Sequence, residues 1–430
     1  MSGRIEIYDT TLRDGVQSED ISLSLDDKLS IITRLDQLGI HYIEAGWPGA
    51  NPKDERLFTK IRSLHVSQSR IMAFGSTCRP GGLPENDRLI KSIVSAKPHG
   101  VTIFGKSWDA HVKGEGGLGC SLDENLRMIR DTVAFLRKSF PIVFFDAEHF
   151  FDGFKANREY AMASLDAAVK GGASRVVLCD TNGGAIPSEV SEIVGFIAKK
   201  RSIPLGIHCH NDSELAVANT LCAVQAGADH VHGTINGVGE RCGNTNLCSI
   251  IPVLSIKLGY ETIARDKLRM LSDTSRFFDE IANLLHNKHQ PYVGESAFAH
   301  KGGIHVSAVM GDPATYEHIS PEVVGNQRKV IVSEHSGKSN IVYKAREFNI
   351  DLSKDDTAAN EIVKIIKDLE NCGFQFEGAD ASLELLMKKA MNQHVRSFRL
   401  KGFRVNTERR SDHTDPVSEA TIMIEVEGNV

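Results

Sequence analysis

The chain has 430 residues, and its 50 lysine and arginine residues against 56 aspartate and glutamate residues give a formal net charge of −6. Hydrophobic residues make up 41% of the sequence and charged residues 25%, a globular composition that excludes disorder as the main state. The length exceeds that of one average domain. The mildly acidic balance argues against a protein that binds nucleic acid through its phosphates.

The sequence also indicates where the protein works. Its 8 cysteines are scattered without a C-x-x-C pair, which is typical of free thiols in a reducing compartment rather than of a disulfide framework. The opening segment MSGRIEIYDTTLRDG contains no apolar signal-peptide core. No run approaches the roughly 20 apolar residues of a membrane span. We therefore expect a cytoplasmic protein that binds neither membranes nor nucleic acid.

Short β-branched runs alternate with helical stretches from residue 4 to about residue 260. Ser24 and Asp27 form a predicted capping box for the first helix, which ends at Gly39. The candidate strands cover residues 5–9, 42–46, 71–75, 101–104, 142–148, 175–180, 205–210 and 229–234.

The number of strand–helix units predicts the fold. Three helix-to-strand joints, at residues 35–46, 168–180 and 223–234, look like copies of one unit. Eight such units predict an α/β fold, a (β/α)8 TIM barrel over residues 1–262. The alternative is a doubly wound sheet, which the missing G-x-G-x-x-G after the first strand disfavours.

The alternation stops beyond the predicted barrel. Residues 265–290 look helical, and residues 291–345 are rich in glycine, histidine and proline and predict loops. Two helices are predicted next, the first ending near Gly373 and the second capped by Asp380. We predict that this part of the chain forms small, mostly helical subdomains.

The last segment has a different pattern. Two strand-like alternations, residues 398–405 and 420–426, are joined by the polar stretch 406–416. Two short strands do not make an independent domain. We therefore divide the chain into the barrel, helical subdomains over residues 263–395, and the first strands of an incomplete domain over residues 396–430.

The strongest local signal is IHCHND, residues 207–212. His208 and His210 stand two apart on a predicted strand, so both side chains point to one face. They lie at the C-terminal end of that strand, where barrel enzymes place their active sites. With Asp212 close by, the two imidazoles suit a divalent metal ion. The alternative, a hydrogen-bonded pair of core histidines, is less favoured for two histidines at this end of a barrel.

A second signal is DTTLRDG, residues 9–15, directly after the first strand. Asp14 can complete a facial metal site with two histidines. Arg13 can stabilise an oxyanion, since it stays charged and offers several donors. The alternative is a structural ion pair in a loop, and spacing alone does not decide between the two.

Further polar residues follow other predicted strands. Glu148 ends the fifth strand and is a candidate base or base-orienting carboxylate. Thr181 follows the sixth strand and can donate its hydroxyl to a bound carboxylate. The glycine-rich loop 237–246 follows the eighth strand and is predicted to project Asn244 towards the metal. Each of these signals is weak alone; a glycine-rich loop, for example, usually serves only to reverse the chain direction. The position of all three signals at strand ends favours a functional site.

The last candidate is AFAHKGGIHVSAV, residues 297–309, outside the barrel. His300 and His305 flank two glycines in an otherwise small-residue segment. One interpretation is that this segment has only a packing role. The other is that it reaches a barrel mouth, either that of its own subunit or that of a partner subunit.

DTTLRDG, HCHND and GERCGN together resemble the metal-dependent acyl-CoA barrel enzymes, which are the isopropylmalate, homocitrate and citramalate synthases, with hydroxymethylglutaryl-CoA lyase as a relative. GGIH (302–305), YEHISPEVVGN (316–326) and SEHSGKSN (333–340) are similar to subdomains that the lyase lacks. Within the family the chain is most similar to the (R)-citramalate synthases. The segments that carry this similarity are YIEAGWPGANPKDERLF (42–58), AEHFFDGFKAN (147–157) and GFQFEGADASLELL (373–386).

The resemblance assigns roles to most of the candidate residues. Asp14, His208 and His210 match the family's metal ligands, and Asn244 matches a nearby fourth contact. Arg13 matches the catalytic arginine. The metal that the resemblance implies is Mg²⁺, Mn²⁺ or Zn²⁺.

The resemblance also implies roles for residues around the metal. Thr181 matches the residue that holds the oxo-acid carboxylate, and Glu148 matches a catalytic-site acid. His305 matches a histidine that the family supplies from the partner subunit, which implies a homodimer. Tyr316 matches a tyrosine implicated in catalysis or its control.

The activity that the resemblance implies is an acyl transfer in isoleucine biosynthesis, in which acetyl-CoA condenses with pyruvate and thioester hydrolysis releases (R)-citramalate and CoA. The alternatives are an isopropylmalate or homocitrate synthase with a larger 2-oxo acid, a related acyl-CoA lyase, and a non-catalytic barrel that senses acyl-CoA or metal. Phe104, near the end of the fourth strand, favours a small substrate if it points inward. Only the first strands of the family's regulatory domain are expected here, so feedback by isoleucine is left open.

Overall fold

The computed structural model describes residues 3–114, 116–200, 203–352, 356–411, 415–427 and 429. The predicted polar connection 406–416 falls partly outside these ranges, and so do the predicted end points of the first and last domains, residues 1 and 430.

In the described part of the chain, eight parallel strands close into a barrel in which each strand pairs with its neighbours in sequence and β8 pairs with β1. The strands are β1 (Glu6–Asp9), β2 (Tyr42–Gly46), β3 (Arg70–Ser76), β4 (Gly100–Lys106), β5 (Val143–Glu148), β6 (Arg175–Asp180), β7 (Leu205–Cys209) and β8 (His230–Gly233). The predicted TIM barrel is therefore confirmed, and the doubly wound alternative is wrong because the sheet closes on itself.

Helices follow the strands and cover the barrel. They are α1 (Leu25–Leu38), α2 (Pro52–Ile61), α3 (Arg88–Ala96), α4 (Ala110–Lys113), α5 (Leu122–Arg137), α6 (Phe150–Ala156), α7 (Arg158–Gly171), α8 (Pro187–Lys200), α9 (Ala216–Ala226), α10 (Leu247–Pro252) and α11 (Leu271–Ile281). The predicted capping box of α1 is present, since Ser24 and Asp27 each accept the backbone N–H of the other. Gly39 ends α1 with φ +89°, a left-handed conformation that suits glycine.

Aromatic and histidine side chains fill part of the barrel interior. Tyr8 stacks on His232 with ring centroids 4.0 Å apart, and Phe144 closes the layer against Tyr42. His230 and His232 are fully buried, with their Nε2 atoms 3.1 Å apart. Burial lowers the pKa of both imidazoles well below the usual value. The barrel is thus a packed core, and its open end is the C-terminal end of the strands, which we call the mouth.

By its internal contacts the chain forms two compact units, Met1–Phe298 with Ile319–Gln327, and Ala299–His318 with Arg328–Val430. In the first unit, Leu271, Phe278 and Val293 belong to the same apolar core as the barrel. The helix predicted over residues 265–290 is too long. A 3₁₀ turn precedes α11, and the chain leaves the helix at Asn283, whose φ is +55°.

The second unit contains four helices and two small sheets in its described part. They are α12 (Gly303–Gly311), α13 (Lys338–Glu347), α14 (Asp356–Asn371) and α15 (Asp380–Ala390), the parallel pair β9 (Ala299–His300) and β10 (Lys329–Val330), and the antiparallel pair β11 (Arg399–Glu408) and β12 (Val417–Glu425).

Two predictions for this unit are wrong in detail. Helix α12 lies within the region predicted as loops. Asp380 is the first residue of α15, and Ala379 occupies the N-cap position without a side-chain hydrogen bond; the Asp380 carboxylate contacts Lys344 at 3.1 Å. No helix among the described residues is both long and apolar enough to cross a membrane.

Candidate active site

Three predicted metal ligands meet at the mouth of the barrel. Asp14 lies in the turn after β1, His208 in β7, and His210 directly after β7. The Nε2 atoms of the two histidines are 3.3 Å apart, and they lie 3.5 and 3.8 Å from the Asp14 Oδ2 atom. All three side chains are buried. Their ligand atoms therefore converge on one point, in the arrangement of a two-histidine, one-carboxylate metal site.

The protonation states of Asp14 and His210 also favour binding of a metal cation. Burial alone raises the pKa of Asp14, but Arg13 and the two imidazoles outweigh it and leave that pKa well below its usual value. Burial, together with His208, lowers the pKa of His210 to about 4. At neutral pH the carboxylate is ionised and the His210 imidazole is neutral, as metal binding requires.

Asn244 reaches the same point from the glycine-rich loop. Its Nδ2 atom donates to Asp14 Oδ1 at 3.0 Å. Its Oδ1 atom is buried and has no hydrogen-bond partner within the described residues. An unpaired buried carbonyl oxygen beside an anionic carboxylate fits a metal contact.

Glycine is required in this loop because the backbone passes very close to Asn244. Gly239 has φ +155°, and a Cβ atom there would lie 2.0 Å from the Asn244 Nδ2 atom. We expect Gly239→Ala to displace Asn244 and to weaken Mn²⁺ binding by ~10–100-fold, the usual cost of losing a supporting contact at a metal site. Calorimetric titration with Mn²⁺ measures this. Gly195→Ala is the control, since its Cβ would meet its nearest neighbour at 3.9 Å; equal affinity in both variants would contradict the prediction.

Arg13 is held beside the metal ligands by two carboxylates. Its Nε atom lies 2.6 Å from Glu44 Oε1, and its Nη1 atom lies 2.9 Å from Asp14 Oδ2. Its guanidinium also lies 3.8 Å from the centre of the Phe74 ring. Burial lowers the pKa of Arg13, but the two carboxylates outweigh this and raise it. The site therefore has a permanent cation with a fixed orientation.

The sequence reasoning missed Glu44. This carboxylate is fully buried in β2 and also accepts the Tyr8 hydroxyl at 2.6 Å. The available signal was an acidic residue within the otherwise apolar strand YIEAG. A buried charge needs a partner, and here the partner is the catalytic arginine candidate.

Glu148 and Thr181 line the same pocket as Arg13 and Asp14. Glu148 ends β5, and its Oε2 atom lies 2.5 Å from the Lys106 Nζ atom. Thr181 follows β6, and its Oγ1 atom accepts the backbone N–H of His149 at 2.9 Å. Four residues predicted from separate strand ends, Arg13, Asp14, Glu148 and Thr181, therefore line one pocket.

The pocket has a cavity of about 250 Å³. Its lining combines the polar residues named above with three aromatic residues, Trp47, Phe74 and Phe104, which we call the aromatic wall. Phe74 and Phe104 stack with ring centroids 5.3 Å apart, and Trp47 stands edge-on to both. Phe104 points into the pocket, the orientation on which the expectation of a small substrate depends.

Asp146 is a second residue that the sequence reasoning missed. It lies in β5, lines the pocket and is buried. Burial, together with the Glu44 carboxylate, raises its pKa well above the usual value, which favours its protonated form. The available signal was an acidic residue within the apolar strand VFFDAE, two residues before Glu148.

Asp212 does not join the metal ligands. Its carboxylate instead forms an ion pair with Arg241, with Nε–Oδ1 and Nη2–Oδ2 distances of 2.7 and 2.9 Å. Strand β7 has ended before Asp212, so the Asp212 side chain does not point to the same side as those of His208 and His210.

The remaining candidates lie in the second unit. His300 is buried and its Nε2 atom lies 3.1 Å from Glu317 Oε1, which favours a packing role. His305 and Tyr316 are exposed, with ring centroids 4.5 Å apart.

Comparisons with known proteins show the family to which the chain belongs. Residues 4–274 match the family model described as HMGL-like, and residues 292–373 match the one described as homocitrate synthase post-HMGL domain-like. An (R)-citramalate synthase of Geobacter sulfurreducens is 55% identical over 99% of this chain and 80% of its own length. A 2-isopropylmalate synthase of Sulfolobus acidocaldarius is 34% identical over 90% of this chain and 97% of its own. An HMG-CoA lyase structure from Brucella melitensis has a TM-score of 0.53 at 19% identity, covering 66% of this chain and 100% of that one, which supports the fold.

Proposed function

Because the chain belongs to the (R)-citramalate synthase family of HMGL-like enzymes, we propose that it condenses acetyl-CoA with pyruvate and hydrolyses the thioester, releasing (R)-citramalate and CoA. The observation that carries this proposal is the meeting of Arg13 with Asp14, His208 and His210 in one small pocket. We place the reaction in isoleucine biosynthesis and in the cytoplasm, as the resemblance and the sequence imply.

We propose that Asp14, His208 and His210 hold a divalent metal ion, Mg²⁺, Mn²⁺ or Zn²⁺, with Asn244 as a fourth contact. The ion, when bound, polarises the carbonyl group of the oxo acid. The chain's own contribution is the Asp14 carboxylate, which Arg13 and the two imidazoles keep ionised against the effect of burial, and the inward-facing Nε2 atoms, of which that of His210 is kept unprotonated by burial.

The oxo acid is oriented by Thr181 and Arg13. The Thr181 hydroxyl donates to the substrate carboxylate. Arg13 stabilises the negative charge that develops on the keto oxygen as the carbon–carbon bond forms. Its ion pairs with Glu44 and Asp14 hold the guanidinium in place beforehand, so little reorganisation is needed during the reaction.

The proton on the methyl group of acetyl-CoA must be removed by a base. We propose that His305 does this, alone or helped by Glu148, since histidine is the side chain that most often acts as a general base. Tyr316, whose ring centroid lies 4.5 Å from that of His305, takes part in catalysis or its control. As the family resemblance implies, His305 serves the barrel of the partner subunit in a homodimer.

A mixing experiment tests this last assignment. Asp14→Ala and His305→Ala are each expected to be inactive as pure dimers. Random re-pairing of equal amounts should restore about a quarter of wild-type activity, because half of the dimers become hybrids with one intact site. Activity that stays at the level of the pure variants after verified subunit exchange would refute a shared site.

The identity of the oxo acid is tested by measuring free-CoA release from acetyl-CoA with pyruvate, 2-oxoisovalerate and 2-oxoglutarate in turn. We expect release with pyruvate and little with the larger acids, because the rings of Trp47, Phe74 and Phe104 limit the space beside the metal ligands. No release with pyruvate ends the proposal. Release with 2-oxoisovalerate or 2-oxoglutarate alone would identify a sister synthase, and cleavage of a hydroxyacyl-CoA without any oxo acid would identify a lyase.

Removing part of the aromatic wall should relax this preference. Phe104→Ala is expected to lower the kcat/KM ratio of pyruvate over 2-oxoisovalerate by about tenfold or more, since each methylene in an apolar pocket discriminates by ~10–200-fold. Phe196→Ala is the control, because this ring stacks with Arg158 on the outside of the barrel. An unchanged ratio in Phe104→Ala would show that this ring does not limit the substrate.

A further inference from the structure

Thr181 is held from two sides by residues that have no assigned role. The backbone N–H of His149 donates to its Oγ1 atom at 2.9 Å, and the Arg241 Nη2 atom donates to its carbonyl oxygen at 2.7 Å. His149 lies in the loop after β5 and Arg241 in the glycine-rich loop after β8. We call these two contacts the Thr181 clamp.

His149 reaches Thr181 through an uncommon backbone conformation. Its φ of +54° lies in the left-handed region, which residues other than glycine rarely adopt. The imidazole helps to keep it there, since its Nδ1 atom lies 3.3 Å from Asp152 Oδ2 and Asp152 also accepts the Asn182 amide at 2.9 Å. Strained backbone held by surrounding contacts is a feature of functional sites.

Arg241 is fixed in a similar way. Its φ is +56°, and its guanidinium makes the bidentate pair with Asp212 described above. The Nη2 atom carries two N–H groups, so it donates to Asp212 Oδ2 and also to the Thr181 carbonyl oxygen. Arg241 thus connects the loops after β6, β7 and β8, and its planar fork is a geometry that lysine cannot reproduce.

The clamp decides what the Thr181 hydroxyl can do. A hydroxyl has one proton to donate and two acceptor lone pairs, and the His149 N–H engages one of these lone pairs, which orients the hydroxyl with its proton turned away from His149. Thr181 lines the pocket, so its proton is available to an acceptor there. We propose that His149, through its backbone N–H, and Arg241 are positioning residues that lock the Thr181 hydroxyl as a donor to the oxo-acid carboxylate; this inference rests on the proposed function.

The backbone role of His149 is tested by the KM for pyruvate, measured beside the KM for acetyl-CoA. His149→Val is expected to raise the pyruvate KM by about tenfold or more, the usual effect of losing a hydrogen bond to a charged group, while the acetyl-CoA KM changes little. Valine disfavours a positive φ, whereas glycine adopts it freely, so His149→Gly should recover most of the pyruvate affinity. Equal increases in the valine and glycine variants, or none with valine, overturn the inference.

Lys97→Val is the matched control for backbone strain. Lys97 also has a left-handed φ, +52°, but it follows α3 and precedes β4, at the end of the barrel opposite the mouth. This variant should lower the melting temperature and leave the pyruvate KM near wild type. A rise in pyruvate KM equal to that of His149→Val would mean that general destabilisation is being measured, and would overturn the inference.

A double-mutant cycle tests whether both residues act through Thr181. Thr181→Val and Arg241→Lys should each raise the pyruvate KM, although lysine keeps the positive charge. In the Thr181→Val background, His149→Val and Arg241→Lys should cause no further rise, and an additive rise overturns the inference. Pyruvate binding to the Mn²⁺-loaded variants, measured by calorimetry without acetyl-CoA, gives the same comparison independently of turnover. A wild-type protein that binds pyruvate but releases no CoA would contradict the proposed function and not the clamp.

Discussion

Asp14→Ala is expected to abolish both metal binding and turnover while the barrel stays folded. The Asp14 carboxylate is the anion on which the two histidine Nε2 atoms converge, at 3.5 and 3.8 Å. Without it, two imidazoles and an amide remain, and Arg13 loses one of its two ion-pair partners. Free-CoA release measures turnover, calorimetric titration with Mn²⁺ measures metal binding, and circular dichroism reports the fold.

A buried carboxylate at the other end of the barrel provides the control for Asp14. Asp36 accepts the backbone N–H groups of Gln68 and Ser69 at 2.8 and 2.7 Å, ahead of β3. Asp36→Ala should therefore lower the melting temperature and leave turnover per folded molecule near wild type. Near-normal activity in a metal-free preparation of Asp14→Ala would refute the assignment of the metal site.

Arg13→Ala is expected to lower kcat by at least ~10²–10³-fold, the usual cost of removing one donor that stabilises an oxyanion. It should also reduce stability, because Glu44 is fully buried and would lose its cation; breaking a buried ion pair by removing one partner costs about 3–5 kcal/mol. Thermal unfolding and CoA release on the same samples separate the two effects. Arg13→Lys should restore little activity, because one ammonium group lacks the fork that meets Glu44 and Asp14 together.

Arg175 is the matched control for Arg13. It begins β6 at the opposite end of the barrel, is nearly buried, and pairs with Glu6 at 2.9 Å and with Asp229. Arg175→Ala should therefore lower the melting temperature without a comparable loss of kcat. If the two variants lose kcat equally, loss of a buried arginine, and not loss of the oxyanion donor, explains the effect.

Much of the architecture was predictable because it depends on local periodicity. Eight alternations of strand and helix were enough to predict the barrel, and the strand limits agree with the structure within two residues. The capping box of Ser24 with Asp27 was readable because both partners lie within one helical turn. The strand period of two placed His208 and His210 on one face.

Other features were decided by residues far apart in sequence. Glu44 and Asp146 lie within apolar strands and carry no spacing signal of a site, and only the closed barrel brings the Glu44 carboxylate within 2.6 Å of Arg13. Asp212 stands two residues after His210, but its partner is Arg241 from another loop. Burial and long-range charge decide such pairs, and neither is encoded in spacing.

The sequence by itself determined the barrel, the strand ends at which chemistry is possible, and the ligand types available there. Only the tertiary structure decided which of these residues meet and in which protonation state. It joined Asp14, His208 and Asn244 at one point, and it clamped Thr181 between His149 and Arg241. The physical reason is that periodicity is a property of neighbouring residues, whereas a site is a set of distances across the closed barrel, where burial and facing charges shift the pKa values of Asp14 and His210.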